Sequence, residues 1–497
     1  MKETEDKTSQ DFPIYQEEMI EKQRRSKHYF RYWICIICTG LLTMMQSNVL
    51  AFNFTVLCMQ EDDEKMRNES TQFMSSAGNS TTSETGLFTY SKLQQDLLIA
   101  AAYIAPIPST IIMYLWSNRS GVRVTFVICA LISIISTGLS PWAAYQGFPM
   151  FLTVRFFQGF PVAIVPVINS VVTSHWSTLV GNGVYLSIIS AYYQLAPLLT
   201  MPLSAVMCGA VGWESVYYSQ ASLTVLFTAL FVFFYTDKPS ENRFVHPDEL
   251  EEIDAGKSHE EKHMEKAKTP MWEVHTDLAV WAIWLTSIGG TIGFNIFLQY
   301  GPTYLNKVLH YNLSTTGWTA AIPYIFSAVA RIAAQPLTAN CKFLGERLAA
   351  IISTTISQGI MSICFLVLML IPQDWSYVGQ LCYSLVIVAN GLNGVGITRS
   401  AQLVCKQHLS FVLTTRLFYI FSVGLFLPLM VNAIAPDNTH SQWNVLFLII
   451  FIIVLSSNIF FIVFARASPA PWTVGTSQID DRSDHEIEEM RIRDEKK

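Results

Sequence analysis

Asp254-Ala255-Gly256-Lys257-Ser258-His259-Glu260-Glu261-Lys262-His263-Met264-Glu265-Lys266-Ala267-Lys268 lies inside a polar segment, Thr236 to Asp277, that interrupts an otherwise apolar chain. Outward from it on both sides run apolar stretches of about 20 residues or more, the length that spans a hydrocarbon core of ~30 Å. About six precede it and about six follow. The first six are centred near Met44, Ala105, Ser133, Val165, Ala191 and Leu226, the second six near Gly293, Ala328, Ile360, Val388, Val423 and Phe451. Of 497 residues, 51% are hydrophobic and 14% charged. Soluble domains carry about 25% charged residues, so a string of soluble domains is excluded, and so is intrinsic disorder. The reading is an all-α integral membrane protein with twelve transmembrane helices in two six-helix bundles.

The segments follow from where polarity changes. Residues 1–31 form a polar N-terminal tail and 32–236 the first bundle, with a loop at 60–93. Residues 237–277 are the linker, 278–466 the second bundle, and 467–497 a charged tail. Lys and Arg in short loops set orientation. Lys22, Arg24, Arg25, Lys27, Arg119, Arg123, Lys238, Arg243, Lys342, Arg347, Lys406 and Arg466 fall on one side, and Glu61, Asp62, Asp63, Glu64, Asp374 and Asp437 on the other. Both termini are therefore expected in the cytoplasm. The net charge of -6 comes from the acidic tails and the outer loop and gives no reason to expect a nucleic-acid partner.

Sequons at Asn68, Asn79 and Asn312 fall on the expected outer or lumenal side, where glycosylation occurs; Asn118-Arg119-Ser120 falls on the inner side. Cys35 and Cys38 have the spacing of a metal or redox pair, but they lie in a lipid-spanning run without a His or acidic partner and read as packing. Cys58 and Cys208 both stand near outer helix ends, where a disulfide can form. His259 and His263, four apart, have no third ligand and read as a solvated face, so no metal and no cofactor is expected. The chain has no Gly-x-x-x-x-Gly-Lys-Ser/Thr loop, which argues against ATP-driven pumping, and no enzyme constellation.

Each half carries a short basic loop at a matching place. One is Asn118-Arg119-Ser120-Gly121-Val122-Arg123, and the other, Asn340 to Arg347, also ends in Gly-x-Arg. Paired halves of this kind are the signature of a transporter with its site at the midplane. The chain resembles the major facilitator superfamily, and within it the anion–cation symporter family of solute carriers, which holds type I sodium–phosphate cotransporters, sialin and vesicular glutamate transporters. The resemblance rests on the basic loops and on Arg155-Phe156-Phe157-Gln158-Gly159, Trp176, Gly212-Trp213 and Trp281. Tyr300-Gly301-Pro302-Thr303-Tyr304-Leu305, Pro428 and Pro436-Asp437-Asn438 complete it. Some positions depart from the family: Asn118 stands at the loop's Asp, and Val162 at an acidic position of the fourth run. Where the glutamate branch has charged or His residues, this chain has Gln46, Leu98 and Gly290. The resemblance implies a role for Asn118, Arg119, Gly121 and Arg123 as a loop that controls conformation. It also implies a monomer.

An ionised residue at the centre of a span costs at least ~2.5–3.5 kcal/mol on insertion scales. Arg155, Arg331 and Arg416 lie inside runs, Arg399 lies near a cytoplasmic end, and no carboxylate is expected deep in a neighbouring run. Uncompensated cations facing a cavity would attract an anion. The uncharged residues expected along the route are Gln46, Asn48, Asn169, Gln194, Asn295 and Tyr300. The expected function is secondary transport of a small organic or inorganic anion by alternating access. Coupling to Na+ or H+, or the membrane potential, would drive it, in the plasma membrane or an endolysosomal or secretory-vesicle membrane. The alternative is a non-transporting protein of the same fold that binds or regulates.

Overall fold

The computed structural model describes residues 29–77, 90–178, 181–255, 270–340, 346–466 and 468–473. Asn79 and Lys342, and the side chains of Asn68, Asn118 and Arg347, lie outside the described residues. Twelve long helices carry the fold. In the first half they are α1 Phe30–Ala77, α2 Lys92–Ser117, α3 Arg119–Tyr145, α4 Phe148–Trp176, α5 Asn182–Ala210 and α6 Trp213–Phe234. In the second half they are α7 Leu278–Val308, α8 Leu313–Asn340, α9 Glu346–Leu370, α10 Ser376–Cys405, α11 Leu409–Ile434 and α12 His440–Phe464. Eleven are long and apolar enough to cross a membrane, and α8, with 28 residues, fills the remaining place. The described residues contain no strand, as lipid demands: only helices and closed barrels satisfy every backbone group without water. Large apolar side chains such as Ile135, Phe233, Ile363 and Val463 point outward.

Local chemistry fixes the helix ends. Ser91 and Gln94 form a reciprocal capping box on α2, and Thr439 and Gln442 form another on α12. Asp277 Oδ1 accepts the Ala279 N–H at 2.8 Å to start α7. Asn312 Oδ1 accepts the Thr315 N–H at 2.8 Å to start α8, so this exposed sequon also caps a helix. Pro161 and Pro166 each remove an N–H donor from α4, which passes through a 3-10 turn, Phe160–Ile164, and a π turn, Ile168–Val172. α1 continues to Ala77, through residues read from sequence as the start of loop 60–93. Its extension, Glu61 to Arg67, is rich in helix formers and needs no apolar contact to stay helical.

Near its start α3 kinks at Gly121, whose φ of +80° and ψ of 161° lie in a region that residues with a Cβ avoid. The Asp237 carboxylate, just beyond α6, fills the space a Cβ at 121 would need. Asp237 Oδ1 accepts the Arg123 N–H at 2.9 Å, and Arg123 Nη2 donates to the Val232 carbonyl at 2.6 Å. His175 Nδ1 pairs with the Asp237 carbonyl at 3.0 Å, and Trp176 Nε1 donates to the Thr236 carbonyl at 3.2 Å. A carboxylate at the N-terminus of α3 complements that helix's dipole. Asp237 thus supplies, from the linker, a negative charge that the loop lacks at Asn118.

The linker also reaches α1. Its helix, Pro247–Asp254, aims Glu249 at the start of α1, where the two carboxylate oxygens accept the N–H groups of Phe30 at 3.2 Å and Arg31 at 2.9 Å. Arg31 Nη2 pairs with Glu252 at 2.9 Å. This part of the linker is therefore docked on the first half.

The buried apolar side chains form three clusters. One joins both halves at the end away from the basic loops, with Phe52, Phe54, Phe151 and Tyr217 from the first half and Phe297, Tyr383 and Phe447 from the second. At the basic end the core divides. Cys38, Leu42, Phe126, Trp176 and Phe231 belong to the first half, and Trp284, Ile397, Val412 and Phe461 to the second. Phe421 of α11 is the one second-half side chain packed against the first-half cluster among the described residues. The halves are fused at the far end and parted at the basic end. A disulfide between Cys58 of α1 and Cys208 of α5, Cα to Cα 6.2 Å, closes the far end of the first half. Cys35 and Cys38 are buried and unbridged.

Peptide mapping without reductant is expected to recover Cys58 joined to Cys208, and the linked species should vanish in Cys208→Ser. Asp237→Ala should lower the stability of the purified protein by about 1 kcal/mol, the usual effect of losing a helix cap. Gly121→Ala should cost at least as much, since it adds backbone strain of about 1–3 kcal/mol. Thermal unfolding in detergent would read both, and unchanged midpoints would contradict the clamp.

Candidate functional site

Between the halves, α8 and α11 each present an arginine to one space. Arg331 stands beside Tyr192 and Tyr193 of α5, and Arg416 lies close enough to feel its charge. Arg416 Nε donates to Ser287 Oγ of α7 at 2.8 Å, which leaves its terminal nitrogens available. Arg331 lays its guanidinium on α10 at Gly394, 3.7 Å from where a Cβ would stand. Its Nε is buried without a hydrogen-bond partner. Both arginines keep partial solvent exposure, although like charges in a low-dielectric setting repel strongly. Neither takes part in any of the ion pairs found among the described residues, which are Arg31–Glu252, Lys92–Asp96, Lys238–Glu241, His246–Asp248 and Arg466–Asp277. Two guanidinium forks without a counter-ion, and reachable by water, can take an oxyanion in bidentate fashion.

Polar groups with unmet hydrogen bonds lie on α5 and α7, next to or bonded to Tyr193. The Tyr193 hydroxyl donates to Asn295 Oδ1 at 2.7 Å, linking α5 to α7 across the two halves, and Asn295 Nδ2 has no partner. Gln194 is fully buried, with neither amide atom bonded. An unmet buried polar group costs about 1–3 kcal/mol, so these atoms favour a bound ligand or water.

The other residues expected along the route divide. Arg155 is enclosed in the first half at 0% exposure. It donates to the carbonyls of Leu98 at 3.1 Å and Val49 at 2.9 Å and to Gln158 Oε1 at 2.8 Å, and lies over the Phe52 ring. Gln158 Nε2 continues to Thr137 and Ser140 of α3. A Cβ at Gly159 would collide with the Ala102 carbonyl. The Arg-x-x-Gln-Gly stretch is thus a packing knot that ties α4 to α1, α2 and α3. Asn48 is also internal, donating to Ser133 at 2.8 Å and Thr224 at 3.1 Å. Gln46 is buried in α1, and Asn169 sits half-buried in the π turn of α4, its Oδ1 unpartnered. Arg399 is exposed near the basic end. Of the loop residues, Arg119 is exposed, while Gly121 and Arg123 form the clamp on Asp237.

Sequence placed no carboxylate deep in a run; Asp96, near the start of α2, is nonetheless 0% exposed. It pairs with Lys92 at 3.2 Å and accepts from the Tyr300 hydroxyl at 2.7 Å. Asp96 sits at the polar edge of its run, so it reads as an interface residue; Tyr300, 204 positions away, is what buries it. The signal in the sequence was the i,i+4 spacing from Lys92. This pair is self-neutralising and leaves Arg331 and Arg416 uncompensated.

Residues 33–413 match the model of the Major Facilitator Superfamily. Sialin of Ovis aries is 23% identical over 370 residues, covering 73% of each chain. The human sodium-dependent phosphate transport protein 1 is 21% identical over 455 residues, 89% of this chain and 94% of that one. The crystal structure of a D-xylose-proton symporter shares the fold at a TM-score of 0.64 and 15% identity, over 88% of this chain and 99% of that one. The chain belongs to the Major Facilitator Superfamily, as a multi-pass membrane transporter whose relatives include sialin and a sodium-dependent phosphate transport protein.

Proposed function

We propose that the protein carries a small organic or inorganic anion by alternating access, with Arg331 and Arg416 as its counter-charges. The observation behind this reading is a pair of neighbouring guanidiniums, Arg331 beside Tyr192 and Tyr193 of the other half and Arg416 within reach of its charge, neither with a carboxylate partner among the described residues. Bringing an anion between them removes their repulsion and satisfies their donors, so the site favours anions over neutral or cationic solutes. The relatives agree in kind, since one bears the name of a sodium-dependent phosphate carrier. With the basic loops in the cytoplasm, the parted end opens inward, and the disulfide faces an oxidising compartment, where such bonds persist.

Energetics give a reason for coupling. A monovalent anion entering an inside-negative cell opposes about 2.3 kcal/mol per 100 mV. A cotransported Na+ or H+ offsets this at the plasma membrane. In a lumen-positive organelle the potential itself drives uptake.

Purified protein in liposomes would be offered phosphate, sialate, urate and glutamate under sodium, proton and voltage gradients in turn. At least one anion should accumulate above empty liposomes. Arg416→Gln and Arg331→Gln should each lower that flux by roughly tenfold or more, the loss expected for a charge-assisted hydrogen bond of ~1.5–3 kcal/mol, with folded yield unchanged. Saturable anion binding without flux under any gradient would instead assign a binding or regulatory protein of this fold.

A further inference from the structure

The far end of the molecule is held shut by two kinds of contact. One is the fused apolar cluster. The other is polar and, among the described residues, includes one ion-paired contact that crosses between the halves. Asp96 and Lys92 come from α2 in the first half and Tyr300 from α7 in the second. A single carboxylate oxygen, Asp96 Oδ1, receives both the Tyr300 hydroxyl at 2.7 Å and the Lys92 ammonium at 3.2 Å, while Oδ2 is buried without a partner. The Lys92 ammonium also stands 5.1 Å from the centre of the Tyr300 ring, within range of a cation–π attraction. Tyr300 is therefore gripped at its hydroxyl and at its face by two charges of the opposite half, and is 1% exposed.

We propose that Asp96, with Lys92 and Tyr300, is the latch of the outer gate: it holds the far end closed and must release Tyr300 before that end can open. A buried ion pair adds little net stability, because desolvation nearly cancels attraction. A latch built from one is therefore near balance. When the halves part, both charges regain water, whereas an apolar seal of the same area would expose hydrocarbon. Alternating access needs two states within a few kcal/mol of each other, and this contact meets that need at the point where α2 and α7 must separate. One oxygen with two donors and one with none is also an asymmetric grip, sensitive to the loss of either donor.

The proposal takes the transporter reading as its frame, but its test uses no substrate and can fail or succeed whatever anion is carried. Spin labels at Gln146→Cys and Thr315→Cys, exposed far-end positions on opposite halves, would be placed in a background whose seven cysteines outside the Cys58–Cys208 pair, Cys341 included, are replaced by Ala or Ser. Pulsed dipolar distances in nanodiscs would then be compared with those of Asp96→Asn and Tyr300→Phe. Asp96→Asn leaves Lys92 without its counter-charge in the closed state. Tyr300→Phe removes one hydroxyl and keeps the ring. Each should raise the ratio of long to short distances about tenfold, as expected for losing a hydrogen bond to a charged group. The double variant should shift it little further, because both changes break one contact. Distance distributions identical to the parent in both single variants would overturn the latch, and so would additive shifts in the double variant.

Discussion

A guanidinium in a membrane span must be surrounded by acceptors, paired with a carboxylate, or left facing water for something else to pair with. The protein uses all three arrangements, and their distribution sorts scaffold from site. Arg155 is surrounded: two backbone carbonyls and Gln158 take its Nε and Nη1 donors, with Nη2 left buried, and Gly159 lets α2 come close enough for this. Arg31 is paired, with Glu252 of the linker. Arg331 and Arg416 are left over among the described residues, near each other, with Arg331 beside Tyr192 and Tyr193 of the opposite half. The proposed preference for anions follows from that remainder more than from any motif.

The same logic explains how the halves are joined. Apolar packing merges them at one end and separates them at the other. The polar contacts across the divide, Tyr193 to Asn295 and Tyr300 to Asp96, both end on α7. That helix contains Pro302 and relaxes into a π turn at Tyr304–Val308, so the element that carries the contacts is also one whose backbone departs from a regular ladder.

The span plan was legible because hydropathy is local: about 20 apolar residues in a row admit one solution in lipid. The excess of Arg over acid inside the spans was legible for the same reason. Pairings were not, because they join distant positions. Asp237 and Gly121 are 116 residues apart, and nothing in either neighbourhood announces the other. Asp96 was missed because its own surroundings are polar; its burial is conferred by α7. Arg155 was identified as a residue of note from its motif, but a motif states that a residue is constrained without saying whether a ligand or a carbonyl constrains it. Asn48 teaches the same point, since in-bundle hydrogen bonds to Ser133 and Thr224 occupy the donors that a solute would need.

The docked linker helix has a mechanical consequence. A connector between two rocking bodies is ordinarily shared between them. Here Glu249 holds the first peptide groups of α1, and Asp237 holds the kink near the start of α3, so the chain as far as Asp254 travels with the first half. The first half thus extends past the end of α6 as far as Asp254, and a deletion between Asp237 and Asp254 would cost it the clamps on α1 and α3.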